Sequence, residues 1–168
     1  ACDHDWKIYS DIYALIREMS STREGNKAKH LIRLRESHSL VLAFDSRPIS
    51  LAQIQREIAL LAPQQETLIA TGDPGSQRAM VISKFQPGSK AQEIIGLCSD
   101  SLSEGVNLQQ ASCMVHLDMP SVVRIAEQRA GRVDRLDSPH ATIEAWWPDD
   151  APEFALSSDE RFIERYEA

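Results

Sequence analysis

The stretch EQRAGRVDRLDSPH, Glu127 to His140, places Gln128, Gly131, Arg132 and Arg135 at positions i, i+3, i+4 and i+7. That spacing is one side of a helix. The opposite side carries Val122, Ala126, Ala130 and Val133 and reads as the stripe that packs on a core, which turns the arginine side toward something anionic. The helix, expected over Ser121 to Arg135, follows the run Cys113 to Leu117 and the turn-like HLDMP. A strand therefore hands over to a helix here.

The same alternation repeats along the chain. Short apolar or mixed runs bounded by turn residues are Leu40 to Phe44, Thr67 to Thr71, Glu93 to Cys98, Cys113 to Leu117 and Thr142 to Trp147. Between them lie helical patterns at Ser50 to Leu61, Ser76 to Phe85 and Ser121 to Arg135. Strands alternating with helices predict an α/β fold, a mostly parallel central sheet with helices on both faces. Two further helical patterns come first, Trp6 to Met19 and Asn26 to Glu36, joined by the polar SSTREGN. We divide the chain into a connecting segment over 1–25, a lobe over 26–148 and an acidic tail over 149–168, with Ser158 capping a terminal helix to Tyr166. The chain stops without a strong end signal and reads as a piece of a longer protein.

Composition sets limits. With 168 residues, 42% hydrophobic and 26% charged, the chain is long enough for one ordinary soluble domain. No apolar run reaches the roughly 20 residues that span a bilayer, and no signal peptide is evident, so an intracellular, cytoplasmic protein is expected. Three cysteines, Cys2, Cys98 and Cys113, form neither a CxxC pair nor a disulfide framework, and reduced thiols are expected. His38, His116 and His140 are scattered without metal-ligand spacing, so no metal site is expected. The net charge of −7 argues against a surface that attracts polyanions everywhere, but a local basic face is compatible with it. Trp146 and Trp147 divide between core and surface of an edge strand.

In open α/β sheets, ligands gather at the carboxyl ends of the strands. Gly72 follows the second strand, Gly105 the third, and the arginine helix the fourth. Gly131 inside that helix costs about 1 kcal/mol relative to alanine, which hints at close approach by a backbone or ligand. Arginine suits phosphate because its planar fork offers donors in fixed geometry and keeps its charge. Each loop is weak by itself. SEGVNL can be an ordinary turn in which Ser103 or Asp100 bonds nearby backbone, TGDPGS makes any turn, and Ser46 with Arg47 adds little alone. Two arginines on a helix are commonly a solvated face.

The ordered set is specific. From Asn26 to Pro148 the chain resembles the C-terminal RecA-like lobe of superfamily 2 helicases, nearest Swi/Snf-type ATPases and among them the bacterial RNA-polymerase-associated branch. LVLAF resembles motif IV, and TGDPGSQRAMVISKF the segment after it. CSDSLSEGVNLQQASCMVHLDMP resembles motif V with the strand behind it, and EQRAGRVDR resembles motif VI. Leu136, Asp137 and Ser138 stand where Swi/Snf-type sequences carry an Ile-Gly-Gln-like tripeptide.

The resemblance implies a RecA-like three-layer sandwich and half of a motor. By position, Arg132 and Arg135 would be arginine fingers reaching an ATP held mainly by another lobe, with Gln128 beside the nucleotide. Gly105 and Asn107 would lie near its γ-phosphate and ribose. Ser99 would contact the nucleic-acid backbone, and Thr71, Gly72 and Ser46 would lie along the same track. A glycine allows close approach, and a small hydroxyl at a strand end can bond a phosphate oxygen. No GxxxxGK[ST] loop occurs, so ATP and Mg2+ would be held by an N-terminal RecA-like lobe of the same parent chain. The other implied partner is nucleic acid, double-stranded DNA by preference, with no membrane. Two rivals are a degenerate RecA-like lobe that binds a protein, and a flavodoxin-like small-ligand domain, which accounts for the α/β pattern but not for the arginine helix.

Overall fold

Every residue of the strand Leu40–Phe44 (β1) is buried, and its side chains alternate between two separate cores. Leu40, Leu42 and Phe44 enter one core, Val41 and Ala43 the other. This is what a central strand covered on both faces requires. In this computed structural model, residues 2–18, 22–102, 105–120, 123–135 and 138–148 are described. The chain order is α1 (Cys2–Glu18), α2 (Thr22–Ser37), β1, α3 (Pro48–Leu61), β2 (Glu66–Ala70), α4 (Arg78–Phe85), β3 (Ile94–Cys98), β4 (Cys113–His116), α5 (Val123–Val133) and β5 (Glu144–Trp146). A single 3-10 turn, Asp100–Leu102, follows β3.

The five strands form one sheet in the order β2-β3-β1-β4-β5, and every pairing is parallel. On one face α4 and α5 supply Val81, Phe85 and Val133 to a core with Leu42, Phe44 and Met114. On the other face α2 and α3 supply Leu31, Leu51, Ile54 and Ile58 to a core with Ile95, Leu97 and Val115. The architecture is the expected α/β RecA-like sandwich. Gly96 in β3 is fixed by packing, because a Cβ there would stand 2.9 Å from Leu42 Cδ2 and 3.1 Å from Phe85 Cζ.

Most element limits shift by a few residues from the sequence reading, and four of the shifts have a clear local cause. Helix α2 begins at Thr22, inside the stretch SSTREGN that reads as a linker. Gly25 sits in its first turns, where a Cβ would approach Glu57 Oε2 at 3.7 Å, so contact with α3 overrides the glycine signal. β2 stops at Ala70 because the next residue, Thr71, turns back to bond Asp73. α4 begins at Arg78 rather than Ser76 because Ser76 and Gln77 are tied to β2: Ser76 Oγ donates to Thr71 O at 2.9 Å, Gln77 N donates to Ile69 O at 2.8 Å, and Gln77 Oε1 accepts from Ile69 N at 3.0 Å. These bonds also cover the outer edge of β2. α5 ends at Val133, so Arg135 lies beyond the helix, and its Nε donates back to Gly131 O at 2.9 Å. That bond satisfies one of the carbonyls a helix end leaves over. Val122, the expected terminal helix from Ser158 and the acidic tail lie outside the described residues.

Helix α1 presents Trp6, Tyr9, Tyr13 and Leu15 to solvent, all well exposed. Among the described residues no helix is long and apolar enough to cross a membrane.

Candidate functional site

The sheet order lines up the segments that leave the carboxyl ends of β2, β3, β1 and β4. Adjacent strands lie about 4.8 Å apart, so Thr71, Ser99, Ser46 and Asp118 form a row across neighbouring strand ends. The side chain of Thr71 is buried, and its Oγ1 donates to Asp73 Oδ2 at 2.8 Å. Ser99 N donates to Ala70 O at 2.9 Å, carrying the β2–β3 ladder one step past the strands. Ser99 Oγ shares a 2.7 Å hydrogen bond with Ser101 Oγ. Gly72 stands over the same place, since a Cβ on it would lie 3.5 Å from Ser101 Cβ. Thr71, Gly72 and Ser99 are thus brought together. Ser99 is itself buried, and the exposed hydroxyl of the group belongs to Ser101.

Beyond β1, Asp45 is buried, and its Oδ1 accepts from Arg47 N at 2.8 Å. Lys27 Nζ from α2 lies 3.9 Å from Asp45 Oδ2. Burial pushes the Asp45 carboxyl up and the Lys27 amine down. Ser46 N donates to Asp118 Oδ2 at 2.9 Å, which ties the loop after β1 to the loop after β4.

The residue that organises this edge is Arg129, and reading the helix by its two faces misses it. It lies on α5 between the core positions Ala126 and Val133 and is only 1% exposed. Its Nε and Nη2 donate to the two carboxylate oxygens of Asp100 at 2.8 and 3.1 Å. Its Nη1 donates to Asp118 Oδ1 at 2.9 Å and faces His116 Nδ1 at 3.3 Å. The guanidinium carbon also stands 5.9 Å from the centre of the Phe44 ring. Burial opposes the charge on Arg129, but the bonds to Asp100 and the field of Asp118 outweigh it and hold its pKa above the usual value. Burial opposes ionisation of Asp118 too, yet the bonds from Ser46 and the contact with Arg129 hold its carboxyl below the ordinary range. Burial pushes His116 down to about 3, helped by the charge of Arg129 and opposed by Asp118. His116 is therefore neutral. Because the arginine can only donate, Nδ1 must accept, and the ring proton sits on Nε2.

The sequence carried a usable signal for this hub. A helix whose core stripe reads Ala126, Arg129, Ala130, Val133 buries a charge, and Asp100 and Asp118 stand just past β3 and β4, the two strands that flank β1 in the sheet.

The loop after β3 reaches α5 as well. Leu108 N donates to Arg132 O at 2.9 Å, and Val106, Leu108 and Val133 share one core. Gly105 and Asn107 are thereby drawn to the end of α5. Gly105 has φ +72, which glycine adopts without strain, and Asn107 Oδ1 accepts from Gln109 N at 3.3 Å. Gln128 and Arg132 are half-buried, whereas Gly131 and Arg135 are exposed. Among the described residues, nothing outside its own helix turn lies within 4 Å of where a Cβ on Gly131 would stand, so packing among them does not account for that glycine. Two groups of sequence-derived residues result: Thr71, Gly72, Ser99 and Ser46 along the strand ends, and Gly105, Asn107, Gln128, Arg132 and Arg135 around α5. Arg129 and Asp100 join them.

The remaining residues singled out in the sequence have structural partners. His38 Nδ1 lies 2.9 Å from Ser112 Oγ and its Nε2 2.9 Å from Glu144 Oε2, and His140 Nε2 lies 3.0 Å from Gln110 O. Cys98 and Cys113 are free and buried, and burial drives the Cys113 thiol up to about 12. No group of three His, Cys, Asp or Glu suited to a metal ion occurs among the described residues.

A parallel sheet of this order, with an arginine-bearing helix and a loop-to-helix tie at its carboxyl edge, has the layout of a RecA-like lobe. The chain belongs to the helicase conserved C-terminal domain family, which matches residues 26–137. Among solved structures it is similar to the C-terminal part of the Fun30 ATPase domain, with a TM-score of 0.56 and 18% identity over 75% of this chain and 38% of that one. It is also similar to T4 UvsW, with a TM-score of 0.65 and 15% identity over 95% of this chain and 35% of that one. At such identities the likeness concerns the fold, and the chain spans well under half the length of either protein. A search of curated proteins found no match. The expected helicase C-terminal lobe therefore holds, while its superfamily and branch belong to the reading proposed below.

Proposed function

We propose that the chain is the second motor lobe of an ATP-dependent nucleic-acid translocase of Swi/Snf type, nearest the bacterial RNA-polymerase-associated branch, acting on double-stranded DNA. The observation that carries this reading is the Arg129 tie. One buried guanidinium joins the strand-end row, through Asp100 and Asp118, to the helix that bears Arg132. A residue touching nucleic acid at that row and a residue touching nucleotide on α5 are then parts of one rigid element.

The roles follow from position and chemistry. Arg132 and Arg135 are the arginine fingers, presented toward a nucleotide that the N-terminal lobe of the parent chain holds with Mg2+. Such a finger is worth a factor of about 10³ to 10⁵ in turnover because it stabilises charge developing on the transferred phosphoryl group. Gly131 leaves room for close approach, Gln128 lies on the same side, and Gly105 and Asn107 border the nucleotide. Ser99, acting through the exposed Ser101, together with Thr71, Gly72 and Ser46 lines a track of small hydroxyls for the phosphodiester backbone, a contact that fixes position without reading sequence. The chain alone neither holds ATP tightly nor hydrolyses it.

The test is ATPase activity of the full-length protein with no nucleic acid, single-stranded DNA, duplex DNA or RNA. Stimulation by duplex DNA is expected. Turnover indifferent to every nucleic acid would overturn the reading.

A further inference from the structure

A cavity opens beside α2 at the carboxyl ends of β4 and β5. It measures about 310 Å3, and its walls include Arg23, Lys27 and His30 from α2, His116 from β4, and Trp146 and Trp147 from β5. The aromatic rings are already ordered. Trp147 stacks on His116 with centroids 4.0 Å apart and planes 9° from parallel, and His30 meets Trp146 edge-on at 4.7 Å. Trp146 Nε1 donates to Glu144 Oε1 at 2.6 Å, which fixes that indole.

His116 adds a directed polar group. It is 1% exposed, its Nδ1 accepts from Arg129, and its Nε2 has no hydrogen-bond partner among the described residues. A neutral ring in that tautomer carries a buried N–H donor in the wall of an aromatic cavity, and a buried donor left unpaired is costly. An acceptor on a ligand would relieve it. Lys27 and Arg23 supply positive charge at the same mouth, Lys27 shared with the Asp45 carboxylate and Arg23 with an interaction of its own, and a phosphate there would compete with both. Arg23 also lines the neighbouring cavity that contains Ser46 and Arg47, so the two spaces adjoin.

We infer that this cavity binds one nucleotide, its base against the indoles of Trp146 and Trp147, a base carbonyl accepting from His116 Nε2–H, and its phosphate at Lys27 and Arg23. Stacking on aromatic rings beside a basic groove is how unpaired bases are held. The nucleotide is either free or an unstacked residue of the strand that passes Ser46. The second source rests on the motor reading; the first does not.

The chain has three tryptophans, Trp6, Trp146 and Trp147, so the Trp6→Phe variant reports on this cavity alone. Its fluorescence is titrated with thymidine monophosphate, adenosine monophosphate, inorganic phosphate and a thymidine octamer. Saturable quenching by thymidine monophosphate is expected, several-fold tighter than by adenosine monophosphate, whose base has no carbonyl. Inorganic phosphate should displace the nucleotide without quenching. Lys27→Gln and Arg23→Gln, with unchanged circular dichroism, should each weaken binding about tenfold. Quenching by the octamer with the same sensitivity to Lys27→Gln assigns the strand as the source, and quenching by the mononucleotide alone assigns a free nucleotide. Absence of saturable quenching by both, or quenching that neither substitution weakens, overturns the inference. Failure of the motor reading would show instead in the ATPase assay and leave these titrations as they are.

Discussion

Arg129 and Asp100 lie 29 residues apart in sequence and are joined by two near-parallel hydrogen bonds of 2.8 and 3.1 Å. A guanidinium fork on a carboxylate is the geometry that arginine, not lysine, can make. Removing the cation leaves Asp100 and the partly buried Asp118 without their counter-charge. Arg129→Met should therefore cost about 3–5 kcal/mol of stability, the range for breaking a buried pair from one side. Arg129→Lys should recover only part of it. Urea unfolding of the chain measures both, and a loss under about 1 kcal/mol for the methionine variant would mean that the tie is not what holds the edge together.

Two glycines should respond in opposite directions. Gly96→Ala brings a Cβ within 2.9 Å of Leu42 and 3.1 Å of Phe85, so it should destabilise by about 1–3 kcal/mol through overpacking. Gly131→Ala meets no neighbour among the described residues and replaces a poor helix former, so stability should rise by up to about 1 kcal/mol. If α5 faces a nucleotide as proposed, the second change should nevertheless lower ATP turnover in the full-length protein, because the added methyl would stand in the nucleotide's way. Thermal unfolding and ATPase assays on Gly131→Ala check the pair; a more stable variant with unimpaired turnover would remove that glycine from the site.

The neutral His116 makes stability depend on pH. Its folded pKa lies at about 3, below the ordinary 6.5, so the unfolded chain binds the proton more readily between those values. The stabilisation is complete above pH 6.5 and is lost as pH falls toward 3, at a slope of about 1.4 kcal/mol per pH unit for one group. Asp118 works in the same sense further down, since its folded pKa is depressed and its contribution is lost as the carboxylate protonates. The melting temperature should fall from pH 7 to pH 5, and His116→Gln should flatten that slope. Parallel pH profiles of the parent and His116→Gln would speak against a neutral buried ring.

What could be read in the sequence followed the range of the forces involved. β1 is legible to the residue because LVLAF is a continuous apolar run closed by Asp45 and Ser46, and burial on both faces demands such a run. The side of α5 that bears Gln128, Gly131 and Arg132 is legible because helical periodicity is local. Arg129 is legible only as a charge among core positions, since its partners Asp100 and Asp118 lie 29 and 11 residues away and periodicity does not reveal them. The start of α2 was hidden by Gly25, whose helix-breaking tendency of about 1 kcal/mol yields to packing against α3. Ser99 was found as a strand-end hydroxyl, but its pairing with Ser101 depends on the 3-10 turn, which a sequence pattern does not announce.

The central claim is that Arg132 and Arg135 act on a nucleotide bound by the rest of the parent protein. Duplex-stimulated ATPase of full-length Arg132→Ala and Arg135→Ala, measured beside their melting temperatures, tests it most directly. Both variants should melt within a few degrees of the parent, bind ATP nearly as well and lose turnover by about 10³-fold or more, with lysine at either position rescuing poorly. Turnover within a few-fold of the parent in a folded variant would contradict the account.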